Sequence, residues 1–256
     1  MPTPAAKKAL SLDDFAGLFA GLAERGVESI VIGGCAVGAY ARVRGQNVLS
    51  GDLDLLATWP GLEVIVSAIA ALGGKVLKMP RPRTVPVAVV EWEGKEVNVL
   101  TSSDGLPPAE LEARVAREFF LRGLPDLPVL VADPYDLLRN KLRINRPKDR
   151  PHIAILRGFL DEEIVDAFTS ESDPRKRIGP ATRLLAATEE AMIDELLGVR
   201  LVPLARTPAD FRVLAHRLPT AALGAAVIAR SPNAKLADEL RAIVRGRHFR
   251  GRKRAR

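Results

Sequence analysis

Between Glu28 and Thr58 the chain reads ESIVIGGCAVGAYARVRGQNVLSGDLDLLAT, and this stretch narrows the choice of fold more than any other. A short apolar run, a glycine pair, a helical stretch and a second apolar run predict strand, turn, helix and strand in that order. Asp52 and Asp54 interrupt the second run. Strand alternation turns residues i and i+2 to one face, so the two carboxylates are expected side by side, about 7 Å apart at Cα. Leu53 and Leu55 then face the core. Two anions so placed repel, and one takes up a proton unless a cation lies between them.

A divalent metal removes that conflict. The chain has one cysteine, Cys35, and three scattered histidines, His152, His216 and His248, so no thiolate or imidazole cage is available and a metal must be held by oxygen. Mg2+, or Mn2+ in its place, suits carboxylates shared with substrate phosphates. Gly33 and Gly34, at the exit of the first strand, let backbone N–H groups approach phosphate oxygens at a helix start. A thiol at such a start can be activated, yet a lone Cys35 reads first as a small packing residue. The three histidines read as surface or structural residues.

The remaining punctuation places this unit in a larger α/β body. SLDDFAGLFAGLAERG predicts a helix with Ser11 as its cap, Asp13 and Asp14 in its first turn and Gly26 past its end. GLEVIVSAIAALGG reads as another helix. VPVAVVEWEGKEVNVLTS reads as a hairpin about Glu93 and Gly94. PPAELEARVAREFFLRG has a helical period, and LPVLVADPYDLLRNKLRI predicts a strand followed by a helix that Asp133 caps and Pro134 opens. After Asp173, SDPRKRIGP reads as a linker, and the rest is helical in period. The expected organisation is an α/β (α+β) body over residues 1–172 with a mixed sheet flanked by helices, a helical C-terminal region over 173–240 and a basic tail over 241–256.

With these residues in order, VIGGCAVGAY plus SGDLDLL resembles the DNA polymerase β-type nucleotidyltransferase superfamily. VADPYDLLRNKLRINRPKDRPHIAIL is similar to a segment of its AbiEii toxin-like branch. The resemblance covers roughly residues 12 to 160 and implies a mixed nucleotidyltransferase sheet. It places Gly33 and Gly34 at the phosphate turn, Asp52 and Asp54 on metal, Ser50 at the hydroxyl position before the first aspartate and Lys141 near the nucleotide phosphates. Lys148 and Asp149 stand as the later Lys-Asp pair, and Arg44 matches the arginine ahead of the D-x-D strand. The third carboxylate of the family falls in EVNVL, where the residue is Asn98. An amide oxygen can ligate metal but cannot accept a proton from an attacking hydroxyl. Glu96, two residues earlier on the same strand face, is the candidate substitute.

Charge adds a partner. The net charge of +7 belongs to RAIVRGRHFRGRKRAR, Arg241 to Arg256, which holds eight Lys/Arg and no acid, whereas residues 1–240 carry 30 basic and 31 acidic side chains. Such a tail favours RNA or DNA phosphates. No window approaches the roughly 20 apolar residues of a membrane helix, and a cytoplasmic location is expected. The resemblance implies transfer of an NMP from an NTP to a hydroxyl acceptor, with RNA or tRNA favoured, in a toxin-antitoxin or phage-defence setting with an antitoxin partner. Asn98 favours an alternative, a nucleotide- or nucleic-acid-binding module with weakened or absent catalysis. An aminoglycoside-modifying adenylyltransferase is a third reading, for which DEEIVDAF (161–168) is the one acidic candidate for an acceptor pocket.

Overall fold

Ser11 starts the fold: its backbone N–H and hydroxyl both donate to Asp14 Oδ2, at 2.7 and 2.8 Å, and a 3-10 turn (Leu12–Phe15) runs into α1 (Ala16–Ala23). The structure is a computed structural model, and it describes residues 9–80, 87–106, 116–187, 201–217 and 221–254. The chain divides into two compact units, Met1–Arg157 and Gly158–Arg256.

The first unit is built on a seven-stranded sheet. Its strands are β1 (Ile30–Ile32), β2 (Leu53–Leu56), β3 (Lys75–Lys78), β4 (Val87–Trp92), β5 (Lys95–Leu100), β6 (Arg117–Leu121) and β7 (Leu124–Val131), in the order β3-β4-β5-β2-β1-β7-β6. The sheet is mixed: β2 runs antiparallel to β1 and parallel to β5, and β1 runs parallel to β7. Among the described residues α1 is joined by α2 (Gly33–Val43), α3 (Trp59–Ala71) and α4 (Pro134–Ile144). The fold class expected from the sequence is therefore the one observed. The β1 residues and Leu53, Leu55 and Leu56 of β2 are all buried, which seats the centre of the sheet in the core.

Turn chemistry explains the connections. Glu93 and Gly94 both have positive φ, 51° and 70°, as a two-residue hairpin between β4 and β5 requires. Thr58 caps α3 by accepting from Gly61 N–H, and Asp133 caps α4 by accepting from Tyr135 N–H. α2 packs closely because it presents glycine: a Cβ on Gly34 would lie 2.5 Å from Ser50 Oγ, and one on Gly38 would lie 2.7 Å from the Val48 carbonyl. The segment after α2 thus returns along the helix from Val48 to Ser50. There it is pinned by two backbone bonds with Leu10, at 2.7 and 2.8 Å.

Three sequence expectations need correction. Arg117–Leu121, read as part of a helix, is the edge strand β6, antiparallel to β7; Phe119 meets Tyr40 edge-on with ring centroids 5.0 Å apart, and tertiary packing outweighs the helical period. The first part of that helix, residues 107–115, lies outside the described residues. The supposed linker after Asp173 is helical, because Asp173 accepts from Arg175 N–H and opens α6 (Pro174–Arg177), which leads into α7 (Gly179–Ala187). Asp52 lies in a bend just ahead of β2 instead of inside the strand, where the chain leaves its anchor at Ser50.

α5 (Arg150–Ser170) contains the division between units. Among its described residues the second unit is helical throughout, with α8 (Pro208–Arg217), α9 (Ala221–Ala229) and α10 (Ala234–Arg254). Gly224 lets α9 approach α10, since a Cβ there would lie 2.9 Å from Val244. Arg212 and Glu239 tie α8 to α10 through two bonds of 2.6 and 3.0 Å. The backbone of the basic stretch continues α10 as helix as far as Arg254. No helix among the described residues is long and apolar enough to cross a membrane.

Candidate functional site

Register across the three central strands assembles the site. Asp54 pairs with Ile32, the last residue of β1, and with Asn98 of β5, so it sits where β1 ends and α2 begins. Gly33 follows Ile32 with φ +72°, and a Cβ there would lie 2.0 Å from Asp54 Oδ2. Only glycine accommodates both the left-handed backbone and the carboxylate packed against it. Asn98 Nδ2 donates to Asp54 Oδ1 at 3.0 Å. One bend earlier, Asp52 Oδ1 accepts from Ser50 Oγ at 3.2 Å, and its carbonyl accepts from Cys35 Sγ at 3.3 Å.

These carboxylates stand in tension. Burial pushes the Asp54 carboxyl above its ordinary range and the charge of Asp52 adds to the push, while the Asn98 amide and the charges of Lys141 and Arg146 pull the other way. The same surroundings raise the Cys35 thiol to about 12, through burial first and then Asp54 and Asp52. Cys35 is thus a protonated, buried packing residue.

A second cluster forms around Asp149. Lys141, on the last turn of α4, is almost fully buried, and its Nζ lies 3.4 Å from Asp149 Oδ1. Arg146 grips the same carboxylate through Nε at 2.7 Å and Nη2 at 3.2 Å. Burial alone would raise the Asp149 carboxyl, but the Arg146 bonds and the Lys141 charge outweigh it and hold it below the usual range. Lys141 moves down, because burial of its ammonium outweighs the attraction of Asp149. His152 completes the cluster: its Nδ1 is 3.8 Å from Asp149 Oδ1, and burial followed by the Lys141 charge lowers its pKa.

The two clusters are neighbours. Lys141 and Arg146 act electrostatically on Asp54, and His152 Cε1 lies 3.8 Å from the point that a Cβ on Gly34 would occupy. Gly33, Gly34, Ser50, Asp52, Asp54, Asn98, Lys141 and Asp149 are thus brought to one region of the first unit. Glu96 lies on β5 on the same strand face as Asn98, next to the Val97 that pairs with Leu53. Lys148 is exposed one residue ahead of Asp149. Arg44 is not brought in at the backbone: it C-caps α2 at the end away from Gly33, roughly 16 Å along the helix axis. The sequence reading missed Arg146 and His152. Their signal was present in the spacing, because both stand three residues from Asp149.

Oxygen donors fit a small divalent ion here. Among the described residues no three His, Cys, Asp or Glu side chains gather into a cage, so Asp52 and Asp54 offer two carboxylates, and a phosphate-bearing substrate would have to complete the coordination. Burial first and then the charge of Asp52 raise the Asp54 carboxyl, and a divalent cation held by these acids would ease the second of these effects.

Nucleotidyltransferases are among the solved structures that this chain is similar to. One is the antibiotic-resistance factor ANT(2'')-Ia in solution, at 16% identity and TM-score 0.43 over 59% of this chain and 83% of that one. Another is ANT(2'')-Ia in complex with adenylyl-2''-tobramycin, at 15% identity and TM-score 0.44 over 67% and 97%. A third is a protein from Thermotoga maritima assigned as a nucleotidyltransferase, at 18% identity and TM-score 0.41 over 59% and 92%. No family model and no curated protein matches the sequence.

Proposed function

We propose that this protein is a metal-dependent nucleotidyltransferase of the AbiEii toxin-like kind, moving an NMP from an NTP to a hydroxyl acceptor. The observation that carries this reading is the contact of Gly33 with Asp54: the backbone that would receive phosphates is packed directly on a carboxylate two residues from Asp52. Asp52 and Asp54 would hold Mg2+ or Mn2+, which would supply polarisation of the phosphate and charge compensation for the leaving group. Gly33 and Gly34 present the start of α2 to the phosphates, Ser50 orients Asp52, and Lys141 and Lys148 supply positive charge. The acceptor oxygen forms a bond to the α-phosphorus as the bond to the β-phosphate oxygen breaks, and pyrophosphate leaves. The hydroxyl proton passes to Glu96 or to water, because the Asn98 amide cannot take it.

RNA, tRNA included, is the favoured acceptor, supported by the eight cations between Arg241 and Arg256. In that role the protein acts in the cytoplasm as a toxin-antitoxin or phage-defence component, opposed by an antitoxin protein. The test is label transfer from each α-labelled NTP to total RNA with Mg2+ or Mn2+. Transfer that is abolished by Asp52→Ala with Asp54→Ala is expected; label that never moves, or moves equally in that double variant, sinks the enzyme reading.

Asn98 supports a second reading, a nucleotide-binding module with weakened catalysis, since it fills a carboxylate position with a hydrogen-bond donor to Asp54. Calorimetric NTP binding without turnover, unchanged by Asn98→Asp, selects this reading.

A further inference from the structure

His152 is a half-buried polar group that the proposed reaction leaves unexplained. Its Nδ1 is shielded from solvent and has no hydrogen-bond partner. The nearest acid, Asp149 Oδ1, stands at 3.8 Å, close enough for attraction between charges but too far for a hydrogen bond. Asp149 is already committed, with Arg146 on both oxygens and Lys141 on Oδ1. On another side the ring borders the glycine turn: Cε1 is 3.8 Å from the point a Cβ on Gly34 would fill, and Ser50 Oγ is 2.5 Å from that point. A carboxylate oxygen accepts more than one hydrogen bond, so a charged ring would draw Nδ1–H onto Asp149 Oδ1 and leave Nε2–H for a group at the glycine turn.

We propose that His152 is a further nucleotide-contacting residue, an imidazole that bridges Asp149 and a phosphate oxygen of the triphosphate received at Gly33 and Gly34. This rests on the nucleotidyltransferase reading of the same turn. The two ring nitrogens divide the work: Nδ1–H turns to Asp149, and Nε2–H donates to phosphate. Both nitrogens carry hydrogen only in the imidazolium, so binding takes one proton from solvent. In the free protein the ring is kept neutral by burial and by the charges of Lys141, Lys148 and Arg146, with Asp149 opposing them. A triphosphate brings the negative charge that reverses this balance. His152 thereby couples nucleotide arrival to the Lys141–Arg146–Asp149 cluster.

Calorimetry with ATP, inorganic tripolyphosphate and adenosine, each with Mg2+, tests the contact in the full chain. His152→Phe keeps a ring without nitrogen, and His152→Gln keeps an N–H donor. The Phe variant is expected to bind ATP and tripolyphosphate about ten-fold or more weakly, with adenosine unchanged and the Gln variant recovering part of the loss. Titrations in buffers of different ionisation enthalpy should show proton uptake in the wild type and none in the Phe variant, a difference that a packing role would not produce. Wild-type affinity in the Phe variant, or an equal loss for adenosine, overturns the proposal. If wild-type protein binds neither phosphate probe, this inference and the nucleotidyltransferase reading both fall. If ATP binding depends on His152 while no NMP is ever transferred, the contact stands and the reaction does not.

Discussion

Gly33 carries two constraints at once, a backbone at φ +72° and a carboxylate where its Cβ would be. Gly33→Ala is expected to cost about 2 kcal/mol in stability and, by displacing Asp54, to lower transfer about 10²-fold. Thermal melts beside label transfer check both effects. Asn98 is the converse case, a residue whose change is expected to speed the proposed transfer. Asn98→Asp would exchange a hydrogen-bond donor to Asp54 for a third acid beside it. Without metal, that variant should melt lower than wild type because the added repulsion has no counterion. With Mg2+ it should transfer label about 10²-fold faster if the missing element is a general base. The candidate residues Gly33, Gly34, Asp52 and Asp54 were legible because each is unusual for its place. Arg146 and His152 were passed over despite their three-residue spacing from Asp149, because an arginine in a basic run and an isolated histidine look like ordinary surface residues until Asp149 is seen to be buried between them.

At the scale of elements, caps and turns were the readable part. Ser11, Asp133 and the Glu93-Gly94 turn all act through bonds to residues within three positions, which a local pattern encodes. β6 was misread because its helical period hid a hairpin with β7, and Tyr40, which packs on Phe119, is distant in the chain. Another local device governs the second unit. Asp210 accepts from the backbone N–H groups of Arg206 and Thr207 at the start of α8 and from Arg177 Nη1 at 2.7 Å. Burial by itself would raise this carboxyl, but those bonds and the Arg177 charge outweigh it and hold it below the usual range. A carboxyl lowered by folding stabilises the protein above its unfolded value near 3.8 and loses that contribution as pH falls through the lower folded value. Asp210→Ala should therefore cost about 3 kcal/mol at neutral pH and flatten the acid limb of stability against pH, read by helical circular dichroism in urea.

Across the whole molecule, charge is segregated. Residues 1–240 are nearly neutral and the excess lies in the last sixteen, whose backbone is helical as far as Arg254. If this stretch contacts RNA, affinity should fall with salt, and the log–log slope should steepen by about 0.7 for each phosphate neutralised on a single strand. Deletion of residues 246–256, which removes six cations, should flatten that slope while leaving calorimetric ATP binding by the first unit unchanged. A slope that does not change on deletion would assign RNA contact to another surface.

The sequence by itself determined the order of the central elements and marked Gly33, Gly34, Asp52 and Asp54 as candidates, since strand alternation, glycine turns and helix caps are set by neighbours along the chain. It also located the excess positive charge. Only the tertiary structure decided that Asp54 lies between Ile32 and Asn98, that Asp149 draws Lys141 and Arg146 into one cluster, and that His152 closes on Gly34. The first and last of those relations join residues tens of positions apart through sheet register and close packing, and the Asp149 cluster depends on burial. The energy that selects them comes from packing and desolvation, which no local pattern carries.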